Sequence, residues 1–121
     1  QYRNRWYVIG YHETYQGLRT LALERIQELA PDYSISYRSS DFDAESYYKN
    51  AIGVSITKDK PQEVVFDIPL SEYQYIERQP LHSSQKCIGK NDERVRVSLF
   101  VILNYELKST LLALAPAIRW I

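Results

Sequence analysis

The sequence predicts an α+β protein in two parts, a β-hairpin followed by a β-α-β-β-α-β unit. Three observations predict it. Val95, Val97, Leu99, Val101 and Leu103 recur at every second position over nine residues, the pattern of a strand with one buried face. Trp6-Tyr7-Val8-Ile9 and Leu18–Ile26 are β-forming runs joined by a polar loop that ends in Gly17. From Val64 to Ile121 the apolar period switches in the order strand, helix, strand, strand, helix, strand.

The elements follow in order. Two strands alone are marginal in water, yet the first pair carries Trp6, Tyr7, Ile9, Leu21 and Leu23. The hairpin therefore reads as the remnant of a larger barrel or sheet, with Trp6 in its core. Residues 27–62 read as a connector. Pro31 stops the preceding element, and Asp43 is an N-cap for a short helix over 44–50, with Tyr47 or Tyr48 packing inward and Gly53 as the stop. Lys58–Pro61 makes an exposed turn. Val64, Phe66 and Ile68 then form one face of a strand. Ser71-x-x-Gln74 has capping-box spacing and opens a helix through about Arg78, closed by Pro80. Residues 84–88 form a strand, and Gly89-Lys90-Asn91-Asp92 is turn chemistry. After the long alternating strand, Asn104 caps a helix with Leu107, Leu111, Leu112 and Ala115 on one face, ending at Pro116. Residues 117–121 make the last strand. This order is the ferredoxin-like, split β-α-β arrangement, an antiparallel sheet with both helices on one face. So small a unit needs cover from the connector helix or from a second subunit.

Bulk composition narrows the function classes. With 45% hydrophobic and 25% charged residues the chain is globular, not a disordered tail. No apolar run approaches the roughly 20 residues of a membrane span, no signal peptide opens the chain, and Cys87 is the single cysteine, so the protein is expected to be cytoplasmic. The sequence contains no Met, so it is expected to start inside a longer gene product. Net charge is zero, but the charges are unevenly spread. Arg3, Arg5, Arg19 and Arg25 face only Glu13 and Glu24 in the first 26 residues, whereas 41–79 is acidic and 86–119 swings back to basic. A phosphate-bearing partner would prefer the N-terminal piece or the 86–96 hairpin.

Catalytic chemistry has no foothold. His82 lies near Ser83, Ser84 and Cys87, but no Gly-x-Ser-x-Gly elbow or acidic partner accompanies it, so it reads as a polar residue fixing a turn. His12, His82 and one cysteine give no metal-ligand spacing. The four glycines are scattered and form no phosphate loop. Asp41, Asp43 and Glu45 look like a helix start. No catalytic residue, metal or cofactor is expected, and the protein is read as a non-enzyme.

A family resemblance rests on particular residues. Arg5-Trp6-Tyr7-Val8-Ile9-Gly10-Tyr11, then Leu18-Arg19-Thr20-Leu21-Ala22-Leu23-Glu24-Arg25-Ile26, resemble the back half of a WYL domain. Ala51-Ile52-Gly53-Val54, Pro80-Leu81-His82-Ser83-Ser84-Gln85 and the closing helix and strand resemble the extension that follows WYL domains, known as WCX. Val8 stands for the Leu of the name motif, Leu21 for an aromatic, and Ala22 for a common basic residue; Ala115-Pro116 replaces a usual Gly. The resemblance implies three parts: 1–30 as the end of the Sm-like (SH3-like) WYL barrel, 31–62 as connector, and 63–121 as the ferredoxin-like extension. It further implies a bacterial transcriptional regulator. An N-terminal helix-turn-helix outside this chain would bind duplex DNA, the WYL part would sense a single-stranded nucleic acid or nucleotide effector, and the extension would build a homodimer.

Within that frame four residues are candidate ligand contacts: Tyr7, Tyr11, Arg19 and Arg25. Arg19 and Arg25 share a strand parity and lie roughly 20 Å apart, so they would meet separate phosphates of an extended strand. Tyr7 and Tyr11 offer rings for base stacking, or else belong to the core or its rim. Arg25 has an alternative as a partner of Glu24 or Glu28. Two other readings stand beside this one: a ferredoxin-like regulatory domain with a small-metabolite pocket at a dimer interface and no nucleic acid, and an accessory domain of an enzyme.

Overall fold

The computed structural model describes residues 1–37, 39–115 and 117–120, the last of these by its backbone. Pro116 and Ile121, expected to end a helix and a strand, lie outside the described residues. The chain divides into two compact units, residues 1–44 and 45–121. The fold is α+β, with a hairpin followed by the β-α-β-β-α-β order expected from the sequence.

In the first unit β1 (Tyr7–His12) and β2 (Gly17–Ala22) pair antiparallel, with Tyr7 opposite Ala22 and His12 opposite Gly17. Gln16 takes a left-handed conformation (φ 49°) that reverses the chain into β2. The expectation of a second strand reaching Ile26 does not hold. The last rung is Leu23 N–H to the Trp6 carbonyl at 3.0 Å, and Leu23–Arg25 then forms a 3-10 turn. The cause lies across the ladder. Ahead of Trp6 the chain folds back through left-handed Arg3 and Asn4 to bridge Tyr2 to Arg5, so residues beyond Leu23 have no strand to pair with. Trp6, expected in a core, is 61% exposed. It shares a face with Val8 and Leu21, which are exposed as well.

The second unit opens with a short helix α1 (Ala44–Tyr48), where the rings of Tyr47 and Tyr48 meet edge-on at 4.9 Å, both residues half-buried. Its sheet contains β3 (Gln62–Pro69), β4 (Lys86–Lys90), β5 (Arg94–Val101) and β6 (Arg119–Trp120), all antiparallel in the order β4-β5-β3-β6. Register sets Val64, Phe66 and Ile68 opposite Leu99, Val97 and Val95, so the two alternating runs share one face. Helices α2 (Leu70–Arg78) and α3 (Tyr105–Leu114) bury Ile76, Leu107 and Leu111 in the same core. Each fully buried side chain of this size stabilises by about 1.5–3 kcal/mol, and Phe66, Ile68, Val95, Val97, Leu99 and Val101 are all fully buried. Leu112, expected on the buried face of α3, is 71% exposed, and Leu114 packs on the core in its place.

Local chemistry explains the element ends. Asn104 caps α3 as expected, its Oδ1 accepting the Leu107 N–H at 2.8 Å. Its Nδ2 also donates to the carbonyls of Ile52 and Ser55, both at 3.0 Å, which ties the 50–55 segment to the start of α3. Gly53 adopts φ +79°, and a side chain there would collide with Glu106 on α3. The expected capping box of α2 is not formed. Pro69 is the N-cap, so Ser71 is already helical, and the Gln74 amide donates to the Ser71 carbonyl instead. Gly89 and Lys90 belong to β4 and not to the turn, because a bulge between Cys87 and Gly89 carries the strand onward. The turn itself is organised by Asn91 Oδ1, which accepts the N–H groups of Glu93 (2.8 Å) and Arg94 (2.7 Å).

Candidate functional site

Cross-strand register divides the sequence-predicted contacts between two faces. Tyr7, Ile9 and Tyr11 share a face with Ala22, Thr20 and Leu18, their partners on β2. Arg19 stands opposite Gly10 and so projects from the other face. Its guanidinium lies over the Tyr15 ring, 4.4 Å from the centroid, a cation–π contact across the hairpin loop. Tyr15 is in turn held by His12, whose ring is 4.6 Å away and whose Nδ1 accepts the Tyr15 N–H. Arg25 sits in the 3-10 turn, exposed, so the strand parity that linked it to Arg19 does not apply. Of the two carboxylates expected for it, Glu24 pairs with Arg5 at 3.2 Å. The structure thus brings Tyr7 and Tyr11 onto one surface and leaves Arg19 and Arg25 apart from them and from each other.

The tyrosine-bearing face borders a concavity of about 580 Å³ within the first unit. Ile9, Tyr11 and Leu18 line it from the hairpin, and Ile35 and Phe42 from the segment that follows. Ser36, Ser39 and Ser40 add hydroxyls, and Ser40 Oγ accepts the Phe42 N–H at 3.1 Å, bracing that wall. Glu13 is the single charged residue on its wall among the described residues. The sequence reads 27–62 as a connector, its stretch 34–43 polar and aromatic, and does not mark this wall. Ile35 and Phe42, two apolar residues bracketing a run of serines, were the available signal.

His82 has the structural place read for it. Its Nε2 faces the Lys49 carbonyl and its Nδ1 faces the Ser84 hydroxyl, both at 2.8 Å. Among the described residues no group of His, Cys, Asp and Glu could hold a metal ion, and no helix is long and apolar enough to cross a membrane.

Residues 1–31 match the family model of the WYL domain. The match covers the hairpin and its 3-10 turn, about a quarter of the chain. No curated protein matches the chain. The WYL domain is a regulatory rather than a catalytic domain and is generally found in regulators that sense ligands.

Proposed function

We propose that this chain is the effector-sensing and dimerising region of a bacterial DNA-binding transcriptional regulator, with the hairpin contacting a single-stranded nucleic acid or nucleotide. The observation that carries the reading is the WYL match over the segment that holds Tyr7, Tyr11, Arg19 and Arg25. The two-stranded sheet is thin, so an extended strand crossing its edge can reach both faces. Tyr7 and Tyr11 then stack on bases, and Arg19, oriented by Tyr15, meets a phosphate. Arg25, exposed one turn beyond β2, meets a later phosphate. Residues 63–121 serve as the WCX extension and assemble the homodimer, while duplex DNA is bound by a helix-turn-helix outside this chain. The protein acts in the cytoplasm and catalyses no reaction.

A second reading, a small-metabolite effector with no nucleic acid, is favoured by one observation. The concavity beside Tyr11 is apolar and hydroxyl-lined, and its charged wall residue is an acid, Glu13.

Salt-titrated binding of a labelled single-stranded oligonucleotide tests the two. The first reading expects affinity that falls with salt and weakens in Arg19→Ala. Unchanged binding in Arg19→Ala removes that residue from the site, and absence of oligonucleotide binding by the regulator at low salt favours the metabolite.

A further inference from the structure

We infer that the helix-free face of the four-stranded sheet carries an anion site of its own, which takes the phosphoryl group of a small phosphate-bearing ligand. Register builds it. Asp67 on β3 stands opposite Arg96 on one flank and Arg119 on the other, and Arg94, two residues before Arg96 on β5, shares its parity. With Lys90 these residues wall a concavity of about 440 Å³. Glu93 is the one further charged residue on that wall among the described residues, so four cations face two carboxylates.

Two of the cations are already occupied. Arg96 grips Asp67 as a fork, Nε to Oδ1 at 2.8 Å and Nη2 to Oδ2 at 3.1 Å. Arg94 is half-buried, its Nη2 donating to the carbonyls of Asp67 (3.0 Å) and Ala117 (2.8 Å). Its Nε–H is buried without an acceptor, so the wall holds more donors than the protein's own oxygens satisfy. The other two cations have no close partner among the described residues, although Arg119 adds a weaker pull on Asp67. Lys90 and Arg119 are exposed, and neither side chain has an ion pair or hydrogen bond among the described residues.

That surplus selects the ligand class. Asp67 already fills the Arg96 fork with a carboxylate, and one more carboxylate would leave a cation unmatched. A phosphoryl group carries about −1.5 to −2 charge at neutral pH and three strong acceptor oxygens, enough for Lys90 and Arg119 together. The guanidiniums of Arg94 and Arg96, fixed by their own bonds, keep the surrounding potential positive without having to reorganise. The site belongs to the second unit and does not rest on the hairpin reading above.

Inorganic pyrophosphate titrated into the full chain is the test, followed through the backbone amide NMR signals of residues 88–96 and 117–120. Citrate at matched ionic strength is the comparison, and a dinucleotide with and without a 5′-phosphate distinguishes a free phosphate from a nucleotide source. Saturable shifts with pyrophosphate are expected, with affinity reduced about tenfold or more in Arg119→Ala and in Lys90→Ala. Both altered side chains are exposed, so the fold is retained. Absence of saturable shifts, wild-type affinity in both variants, or equal binding of citrate overturns the proposal.

Discussion

His82 Nε2 lies 2.8 Å from the carbonyl oxygen of Lys49, thirty-three residues earlier in the chain. A carbonyl only accepts, so this nitrogen carries the ring proton; the tautomer is thus assigned from its partner. The other nitrogen is left to accept from the Ser84 N–H at 3.1 Å. Ser84 Oγ continues the chain by accepting the Phe100 N–H at 2.8 Å. One ring therefore joins the end of α1 to the approach of β4 and the edge of β5. His82→Ala is expected to lower stability by about 1–3 kcal/mol, since it leaves half-buried polar groups unpaired. Urea unfolding checks it; a midpoint unchanged from wild type would show that water replaces the ring at no cost.

Asn104 makes two kinds of bond that one substitution separates. Asn104→Asp keeps the oxygen that caps α3 but removes the amide that holds Ile52 and Ser55. Asn104→Ala removes both from a residue that is 2% exposed. The expected order of stability is wild type, then Asp, then Ala, with the alanine variant down by about 2 kcal/mol or more. Thermal melts of the three proteins decide it, and equal losses in both variants would assign all the stabilisation to the tether.

The Arg96 fork holds the Asp67 carboxyl below its ordinary value of 3.8, with Arg94 and Arg119 adding weaker pulls. The sign follows from linkage. A depressed carboxylate contributes stability that is complete above the unfolded value and is lost as pH falls through the lower, folded one. The acid limb of a stability profile, below about pH 4, is therefore expected to flatten in Asp67→Asn. Asp32, depressed by the Ser34 hydroxyl, leaves a residual slope. A wild-type acid limb in the variant would remove Asp67 from the account.

Self-association is expected through the hairpin as well as through the contact assigned to residues 63–121. Trp6, Val8 and Leu21 stand exposed on one face, and among the described residues neither strand of this sheet pairs with a third. Light scattering across a concentration series is expected to show a dimer that Trp6→Ser weakens. A monomer at the highest concentration would count against it.

The sheet was legible because its information is local. Val95, Val97, Leu99 and Val101 recur at every second position and all four are fully buried, whereas Phe100 between the last two is 51% exposed. Asn104 signals its cap in the residue type alone. What failed depended on partners. β2 ends early because the chain ahead of Trp6 turns away, and Ser71 loses its capping role because Pro69 already begins the helix. The hairpin site shows the same division. Parity along one strand placed Tyr7 with Tyr11, but whether Arg19 joins them is set by the register across the loop. The wall made by Ile35, Ser36, Ser39, Ser40 and Phe42 is a tertiary contact, and no periodicity announces it.

Gly53 and Glu106 bind the history of two positions together. A side chain at 53 needs Glu106 to have shortened first, and the left-handed backbone would still charge its own cost. Of the two possible mutational routes, only the one that begins at 106 stays open. Descendant sequences are expected to retain glycine at 53 wherever a long side chain persists at 106.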